Sequence, residues 1–220
     1  GKKSLAYSYI EEALKINRND ADVWYFKAMI SLEDRKLSDA ELAISEANRL
    51  RPKNADILSL LGDVYCEQNQ QKFAIQYYQE AFELSNNSFY LLKKGRSLFL
   101  FDQYKQAVKD VRYLYDHYLE ENKNNEEYIY YLLSCSYREI GDNEEAYNFA
   151  RKLVDVSDSL EHKLHYAGIL FLKSEDECEN YLDTLNERYG NNKDFQQVYF
   201  KLLLDITIER MKKAPDLDFD

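Results

Sequence analysis

The chain has 220 residues, 45% apolar and 31% charged, which is enough apolar content for one or two domains with a sizeable core. No stretch approaches the roughly 18 uninterrupted apolar residues of a membrane span, and a net charge of −11 disfavours binding to a nucleic-acid backbone. The acidic excess lies in residues 111–220, where it predicts a solvated surface or affinity for a basic partner.

The first predicted element, residues 1–20, is a single helix that ends at Asn17–Asp20. It resembles the second half of a helix pair whose first half is missing, so we expect the sequence to be excised from a longer protein. The start of the chain carries acidic residues where a signal peptide needs an apolar region. Three widely spaced cysteines suit free thiols in a reducing compartment. The predicted location is therefore cytoplasmic.

Alanine recurs at a fixed interval along the chain, mostly 34 residues. One series is Ala6, Ala40, Ala74, Ala107 and Ala146, and a second, seven residues later, is Ala13, Ala47 and Ala81. A fixed period of this length is typical of arrays in which each repeat is one pair of helices. Such arrays commonly present a surface to a partner and do no chemistry themselves.

The period divides the chain into repeats at 21–54, 55–87, 88–121, 127–160 and 161–190. The helix from about Tyr104 to Glu121 is predicted to be a turn longer than the others. The repeat at 161–190 is degenerate, because its second helix, EDECENYLDTLNERY, begins early. After it come a helix at 194–212, which is expected to cap the array, and an acidic tail at 213–220, which is expected to be disordered.

Small and aromatic residues alternate in the most regular repeat, 55–87. Gly62 and Ala74 are predicted where two antiparallel helices cross closely, because a larger side chain would push the helices apart. Tyr65 and Tyr78 are predicted to fill the wider gaps beside the crossing. By the same frame Gly95 and Gly168 occupy the close crossing in their own repeats, and Gly190 ends a helix.

This pattern closely resembles the tetratricopeptide repeat (TPR), and the resemblance covers about 200 of the 220 residues. It implies an all-α, right-handed superhelical solenoid of about five and a half repeats with a C-terminal capping helix. The implied function is that of a non-catalytic protein-interaction scaffold. Another antiparallel-helix solenoid would predict the same use of its surface.

In this family the first helix of each repeat lines a concave groove, which is expected to hold a peptide or a partner helix. The residues that the frame places there are Asp22, Tyr25, Met29, Ser59, Asp63, Leu92, Arg96, Phe99, Tyr128, Tyr131, Cys135 and Arg138. Aromatic rings offer contact area at low entropic cost, and the charges would fix the register of the partner. The structural alternative is that some of these rings are half-buried between repeats.

Some TPR domains hold the acidic C-terminal tails of heat-shock chaperones with a carboxylate clamp of lysine, asparagine and arginine side chains. The corresponding positions here carry Tyr25 and Met29, then Leu60, then Phe89 and Lys93. The clamp is therefore absent. Lys93, Lys94 and Arg96 form the basic cluster expected near the groove.

Few residues point to chemistry. No glycine-rich phosphate loop is present. His162 and His165 are three apart on one helix, with Glu161 and Cys178 as conceivable neighbours, but the spacing is not that of a zinc site. Neither a metal, a cofactor nor catalytic residues are expected.

Three alternatives to a simple scaffold stay open. The chain could be the docking portion of a larger enzyme such as a transferase, or a regulator that senses a small peptide. It could also self-associate through the helix at 194–212, whose apolar stripe has no predicted partner helix.

Overall fold

The computed structural model describes residues 2–213, which are almost entirely helical. The α-helices of that range are α1 (Lys2–Ile16), α2 (Ala21–Glu33), α3 (Leu37–Leu50), α4 (Ala55–Glu67), α5 (Gln71–Ser85), α6 (Ser88–Leu100), α7 (Tyr104–Tyr118), α8 (Glu126–Glu139), α9 (Asn143–Val156), α10 (Leu160–Lys173), α11 (Glu175–Tyr189) and α12 (Lys193–Lys213). No strand occurs among them, so the all-α prediction is confirmed for the described residues. None of these helices is both long enough and apolar enough to cross a lipid bilayer.

The chain forms two compact units, one up to Lys123 and one from Asn124. The division falls in the polar run NKNNE. The long helix predicted from Tyr104 to Glu121 is wrong in this region: α7 ends at Tyr118, and a 3₁₀ helix follows at Glu120–Asn125. Within that helix Asn122 is buried and donates hydrogen bonds to Ser88 Oγ (2.6 Å) and to the Tyr118 carbonyl (2.9 Å). The single continuous array and the repeat boundaries stay predictions.

Helix ends follow from local side-chain chemistry. Asp20, Asn54 and Asn87 each accept a hydrogen bond from a backbone N–H in the first turn of the helix that follows, and so satisfy a donor that the helix leaves unpaired. The turns inside the helix pairs reverse through a left-handed residue. These turn residues are Arg35, Asn69, Asp102 and Gly141, with φ of 58°, 60°, 59° and 82°. Only glycine adopts such a φ without strain, which accounts for Gly141.

Small residues set the distance between paired helices, as the alanine period predicts. Ala40, Ala74, Ala107 and Ala146 are fully buried, as are Ala47 and Ala81 of the second series. A β-carbon on Gly62 would lie 2.7 Å from the Tyr78 ring, and one on Gly95 would collide with Val111. The predictions for Gly62 and Gly95 therefore agree with the geometry.

The prediction for Gly168 is wrong. A β-carbon there would meet no atom within 4 Å, and it is the neighbouring Ala167 that is fully buried. Because α10 and α11 are degenerate repeat helices, the 34-residue frame places the small residue one position away from the close contact. Gly190 does lie at the end of α11, in a right-handed conformation. Of the predicted tail 213–220, residues beyond Lys213 lie outside the described range.

Candidate binding groove

Three helices of the first unit, α2, α4 and α6, present neighbouring surfaces, since they are equivalent elements one repeat apart. Contacts between α4 and α6 join residues exactly one period apart in the frame: the Tyr90 hydroxyl donates to Asp56 Oδ1 (2.6 Å), and Lys93 Nζ donates to Ser59 Oγ (3.0 Å). This register follows from the 34-residue repeat. It aligns the C-terminal halves of the three helices around one cavity.

That cavity, the groove pocket, has a volume of about 430 Å³. It lies against the C-terminal ends of α2, α4 and α6, and Tyr78 of α5 also lines it. The residues that line it are Leu32, Glu33, Arg35, Asp63, Cys66, Glu67, Tyr78, Lys93, Arg96, Ser97 and Leu100. Its volume is within the range of about 300–1,000 Å³ that is usual for ligand sites.

A hydrogen-bonded triad fixes one wall of the groove pocket. The Asp63 carboxylate accepts from the Tyr78 hydroxyl (2.7 Å) and from Lys93 Nζ (2.7 Å). Burial and the Asp63 carboxylate raise the pKa of Tyr78, so the phenol stays protonated and donates. Lys93 Nζ also lies 5.5 Å from the centre of the Phe89 ring. These side chains are therefore held in place before any partner arrives.

The other charges of the groove pocket differ in whether they are paired. Arg35 donates to Glu67 across 2.9 Å, which joins the end of α2 to the end of α4. Arg96 is exposed, and within residues 2–213 its guanidinium has neither an ion pair nor a hydrogen bond. Leu100, one helical turn further along α6, is 55% exposed. An unpaired cation beside an exposed apolar side chain can receive an acidic group and an apolar group together.

The sequence-predicted groove residues of the first unit divide into two groups. Asp63 and Arg96 line the groove pocket. The rest do not: Ser59 and Leu92 are buried, Tyr25 and Met29 pack against the hydrophobic core, Phe99 packs against Tyr104, and Asp22 pairs with Arg51. Leu92 is 4% exposed, so its side chain offers almost no surface to a partner.

The basic cluster predicted on α6 is only partly correct. Lys93 and Arg96 face the groove pocket, but Lys94 turns to the other side of α6 and pairs with Asp110 of α7 at 2.8 Å. Successive residues on a helix are about 100° apart, so neighbours in sequence do not share a face.

Three lining residues that the sequence frame omits lie one helical turn beyond the predicted groove residues. Glu33, Glu67 and Leu100 each follow a predicted groove residue by four positions on the same helix face. Continuing the pattern from Met29, Asp63 and Arg96 by one turn would have found all three. Arg35 belongs to the turn after α2, and the helical pattern carries no signal for it.

In the second unit the predicted residues lie on α8. Tyr128 is 37% exposed, and Arg138 is exposed and bonds to its neighbour Glu139 (2.8 Å). Tyr131 is half-buried, with its ring 5.5 Å from that of His162 and 5.0 Å from that of His165. Cys135 is buried, which raises the pKa of its thiol. The α10 helix therefore covers one side of the Tyr131 ring, and the groove-facing role of Tyr131 stays a prediction.

The two histidines form a hydrogen-bonded cluster between α8 and α10. Ser134 Oγ donates to the Ala146 carbonyl (2.9 Å) and lies 2.9 Å from His165 Nε2, so the proton of that contact belongs to His165. His162 Nδ1 lies 2.8 Å from Ser157 Oγ and 2.9 Å from Glu127 Oε1. Desolvation lowers the pKa of His165 to about 4, and Arg138 and His162 add to the shift.

This cluster does not assemble the ligand set that the sequence made conceivable. Cys178 points away, and its thiol donates to the Ala167 carbonyl. Cys135 is the cysteine near the histidines, with Sγ 4.0 Å from His165 Nε2. Over residues 2–213, no three His, Cys, Asp or Glu side chains meet in a way that could hold a metal ion.

Two stretches of the chain match the model of a known family. The family model described as "Tetratricopeptide repeat" matches residues 55–88 and 127–159. No curated protein gives a significant sequence match.

Solved structures give the same result at low sequence identity. The type IV pilus biogenesis factor PilW is 19% identical, with a TM-score of 0.73 over 89% of this chain and 90% of its own. YrrB, described as a TPR protein with an unusual peptide-binding site, is 16% identical, with a TM-score of 0.67 over 87% and 96%. MamA from Desulfovibrio magneticus RS-1 is 17% identical, with a TM-score of 0.61 over 88% and 97%. At such identities the likeness is one of fold, and the predicted TPR-like fold class is confirmed.

Proposed function

We propose that the chain is a non-catalytic interaction scaffold that binds a peptide or a partner helix in the groove pocket of its first unit, since two of its helix pairs match the tetratricopeptide-repeat model and its fold resembles that of tetratricopeptide-repeat proteins. The fold itself supports a protein-interaction role. The observation that carries the finer proposal is the unpaired guanidinium of Arg96, which is exposed in a cavity of about 430 Å³ beside Leu100.

The chemistry of the groove pocket favours a segment with one acidic and one adjacent apolar group. An acidic side chain or a terminal carboxylate would pair with Arg96, whose planar guanidinium can donate two parallel hydrogen bonds. An apolar side chain would cover Leu100. Lys93 is already bound to Asp63, so it contributes less to a newly arriving anion.

The side chains around the groove pocket are already fixed by hydrogen bonds, which supports the proposed binding of a peptide there. Tyr78, Asp63 and Lys93 are cross-linked by hydrogen bonds, so a partner would not have to order them, which lowers the entropic cost of binding. YrrB, which resembles this chain in fold, is described as having a peptide-binding site. That likeness supports peptide binding as a class of function.

Affinity capture from the source cell, with identification by mass spectrometry, tests the proposal. The full chain is compared with Arg96→Ala and with a control, Arg18→Ala, which removes an exposed arginine outside the groove pocket. We expect partners that are retained by the control and lost with Arg96→Ala. Retention of every partner by Arg96→Ala would move the binding site elsewhere.

The second unit is tested separately, since its predicted residues Tyr128 and Arg138 belong to another surface. Tyr128→Ala and Arg138→Ala are suitable changes because both side chains are exposed, whereas Tyr131→Ala would open a gap beside the histidines. The docking portion of an enzyme and a peptide-sensing regulator stay alternatives. A catalytic domain or a DNA-binding domain in the same polypeptide would distinguish them.

A further inference from the structure

The last described helix, α12, is apolar on two opposite sides. One side packs inward: Phe195 and Ile206 are buried, and Leu202 and Leu203 contact the core cluster of Ala167, Leu170, Cys178 and Leu182. A helix that ends a repeat array normally turns a polar face outward. Here the outward side is also apolar, as on helices covered from all directions.

The outward side carries a continuous row of large side chains, the α12 stripe. Its members are Phe200, Leu204, Ile208 and Met211, which are 63%, 59%, 40% and 71% exposed. Spacings of four, four and three residues keep them on one face over about three turns. Apolar patches of this kind mark surfaces that bind another protein.

We propose that the α12 stripe pairs with the α12 stripe of a second copy of this chain, in an antiparallel arrangement about a two-fold axis. The proposal is independent of the groove pocket, which lies in the other unit. A two-fold contact brings the same patch of both copies together, so the residues beside the stripe must complement themselves.

Charges on one flank of the α12 stripe meet that requirement. Lys201, Asp205 and Lys212 follow this flank in order, with Asp194 at its start. With the two-fold axis at the level of Leu203, Lys201 of each copy faces Asp205 of the other, and Asp194 faces Lys212. Both contacts unite opposite charges, although Lys212 also pairs with Glu209 of its own chain at 2.6 Å. In this register Leu204 of each copy lies within about 3 Å, measured along the helix axis, of the levels of Leu204 and Phe200 of the other, whereas Ile208 and Met211 lie outside this central apolar contact.

The central pair of charges is available for such a contact. Lys201 is exposed and Asp205 is half-exposed, and within the described part of the chain neither has an ion pair or a hydrogen bond. A parallel pairing would instead set Lys201 against Lys201 and Asp205 against Asp205. The charge pattern thus favours one orientation of the second copy.

Sedimentation equilibrium of the full chain up to about 0.1 mM tests the pairing. We expect a reversible dimer that Leu204→Glu abolishes, because the variant places a carboxylate in the apolar contact. The matched control is Leu42→Glu on α3, where the leucine is 69% exposed but belongs to no such stripe. Far-UV circular dichroism checks that both variants fold. A chain that stays monomeric, or a dimer that survives Leu204→Glu, would overturn the proposal.

A charge exchange tests the antiparallel register. Lys201→Asp or Asp205→Lys alone sets like charges against each other at two symmetric places, and should weaken the dimer by roughly tenfold. The double variant Lys201→Asp/Asp205→Lys restores opposite charges and should regain most of that affinity. If the double variant is as weak as either single change, the antiparallel register is wrong.

Discussion

Lys94 on α6 and Asp110 on α7 form an ion pair at 2.8 Å, with each side chain only 11% exposed. Lys94 also donates to Gln79 Oε1 (2.7 Å), and Gln106 donates to Asp110 Oδ1 (3.3 Å). The pair therefore joins the two helices of one repeat and reaches the preceding helix, α5. It is a structural contact, although its position in the sequence suggests a basic groove.

Removal of one partner of this pair should be costly. Lys94→Met leaves Asp110 as an uncompensated buried charge and should lower the free energy of unfolding of the first unit by about 3–5 kcal/mol. Lys94→Met/Asp110→Leu removes both charges and should recover most of that loss. Urea denaturation measures both variants. Equal stability of the single and double variants would show that the pair contributes nothing beyond packing.

Substitution by alanine should destabilise the fold at Gly62 and stabilise it at Gly168. Gly62→Ala places a β-carbon 2.7–2.9 Å from three atoms of the Tyr78 ring, which is buried and hydrogen-bonded to Asp63, so the variant should lose about 1–3 kcal/mol. Gly168→Ala meets open space inside α10 and should gain up to about 1 kcal/mol. Thermal denaturation of the two variants is the measurement. A loss of stability in Gly168→Ala would instead support the prediction from sequence that Gly168 lies at a close helix crossing.

The Asp63 carboxylate should stabilise the folded first unit whether or not a partner is bound. Asp63→Ala leaves the buried Tyr78 hydroxyl without its acceptor and should cost about 1–3 kcal/mol. Asp63→Asn keeps an acceptor for Tyr78 and should cost less. The free energy of unfolding of both variants checks this. If Asp63→Ala is as stable as the parent chain, the hydrogen bond is not formed in solution.

Acid should destabilise the second unit through His165. Its pKa is lowered from 6.5 to about 4, so between those values the unfolded chain binds a proton that the folded chain does not. Stability from this group is complete above about pH 6.5 and falls as the pH drops toward 4, by at most about 3 kcal/mol.

Urea unfolding at several pH values between 4 and 7 measures this effect. His165→Gln removes the titration but can still donate to Ser134, so the stability of the variant should depend less steeply on pH. His117→Gln on α7 changes an exposed histidine in the other unit and is the control. An unchanged slope with His165→Gln would assign the acid sensitivity to other groups.

The sequence predicted part of the groove pocket in the first unit, and less of the surroundings of Tyr131 in the second unit. The repeat frame found Asp63 and Arg96, because groove positions recur with the same period as the buried alanines. It misplaced Leu92 and Lys94, since a frame accurate to one residue still errs by about 100° in side-chain direction. It also missed the contact of Tyr131 with His162 and His165, which joins helices about thirty residues apart.

By itself the sequence determined the helix pairs, their period and the small residues at most of their crossings, with Gly168 as the exception, since each depends on spacing within one repeat and on the room that a side chain needs. Only the tertiary structure decided which charges are paired. Lys93, Lys94 and Arg96 are all basic residues of α6. In the structure Lys93 bonds to Asp63, Lys94 is buried with Asp110, and Arg96 is unpaired. Both sides of α12 are apolar, and only the packing of the inner side shows that the outer side is the exposed one. Pairing and exposure depend on which residue of another helix lies opposite, and the sequence of one helix does not specify that.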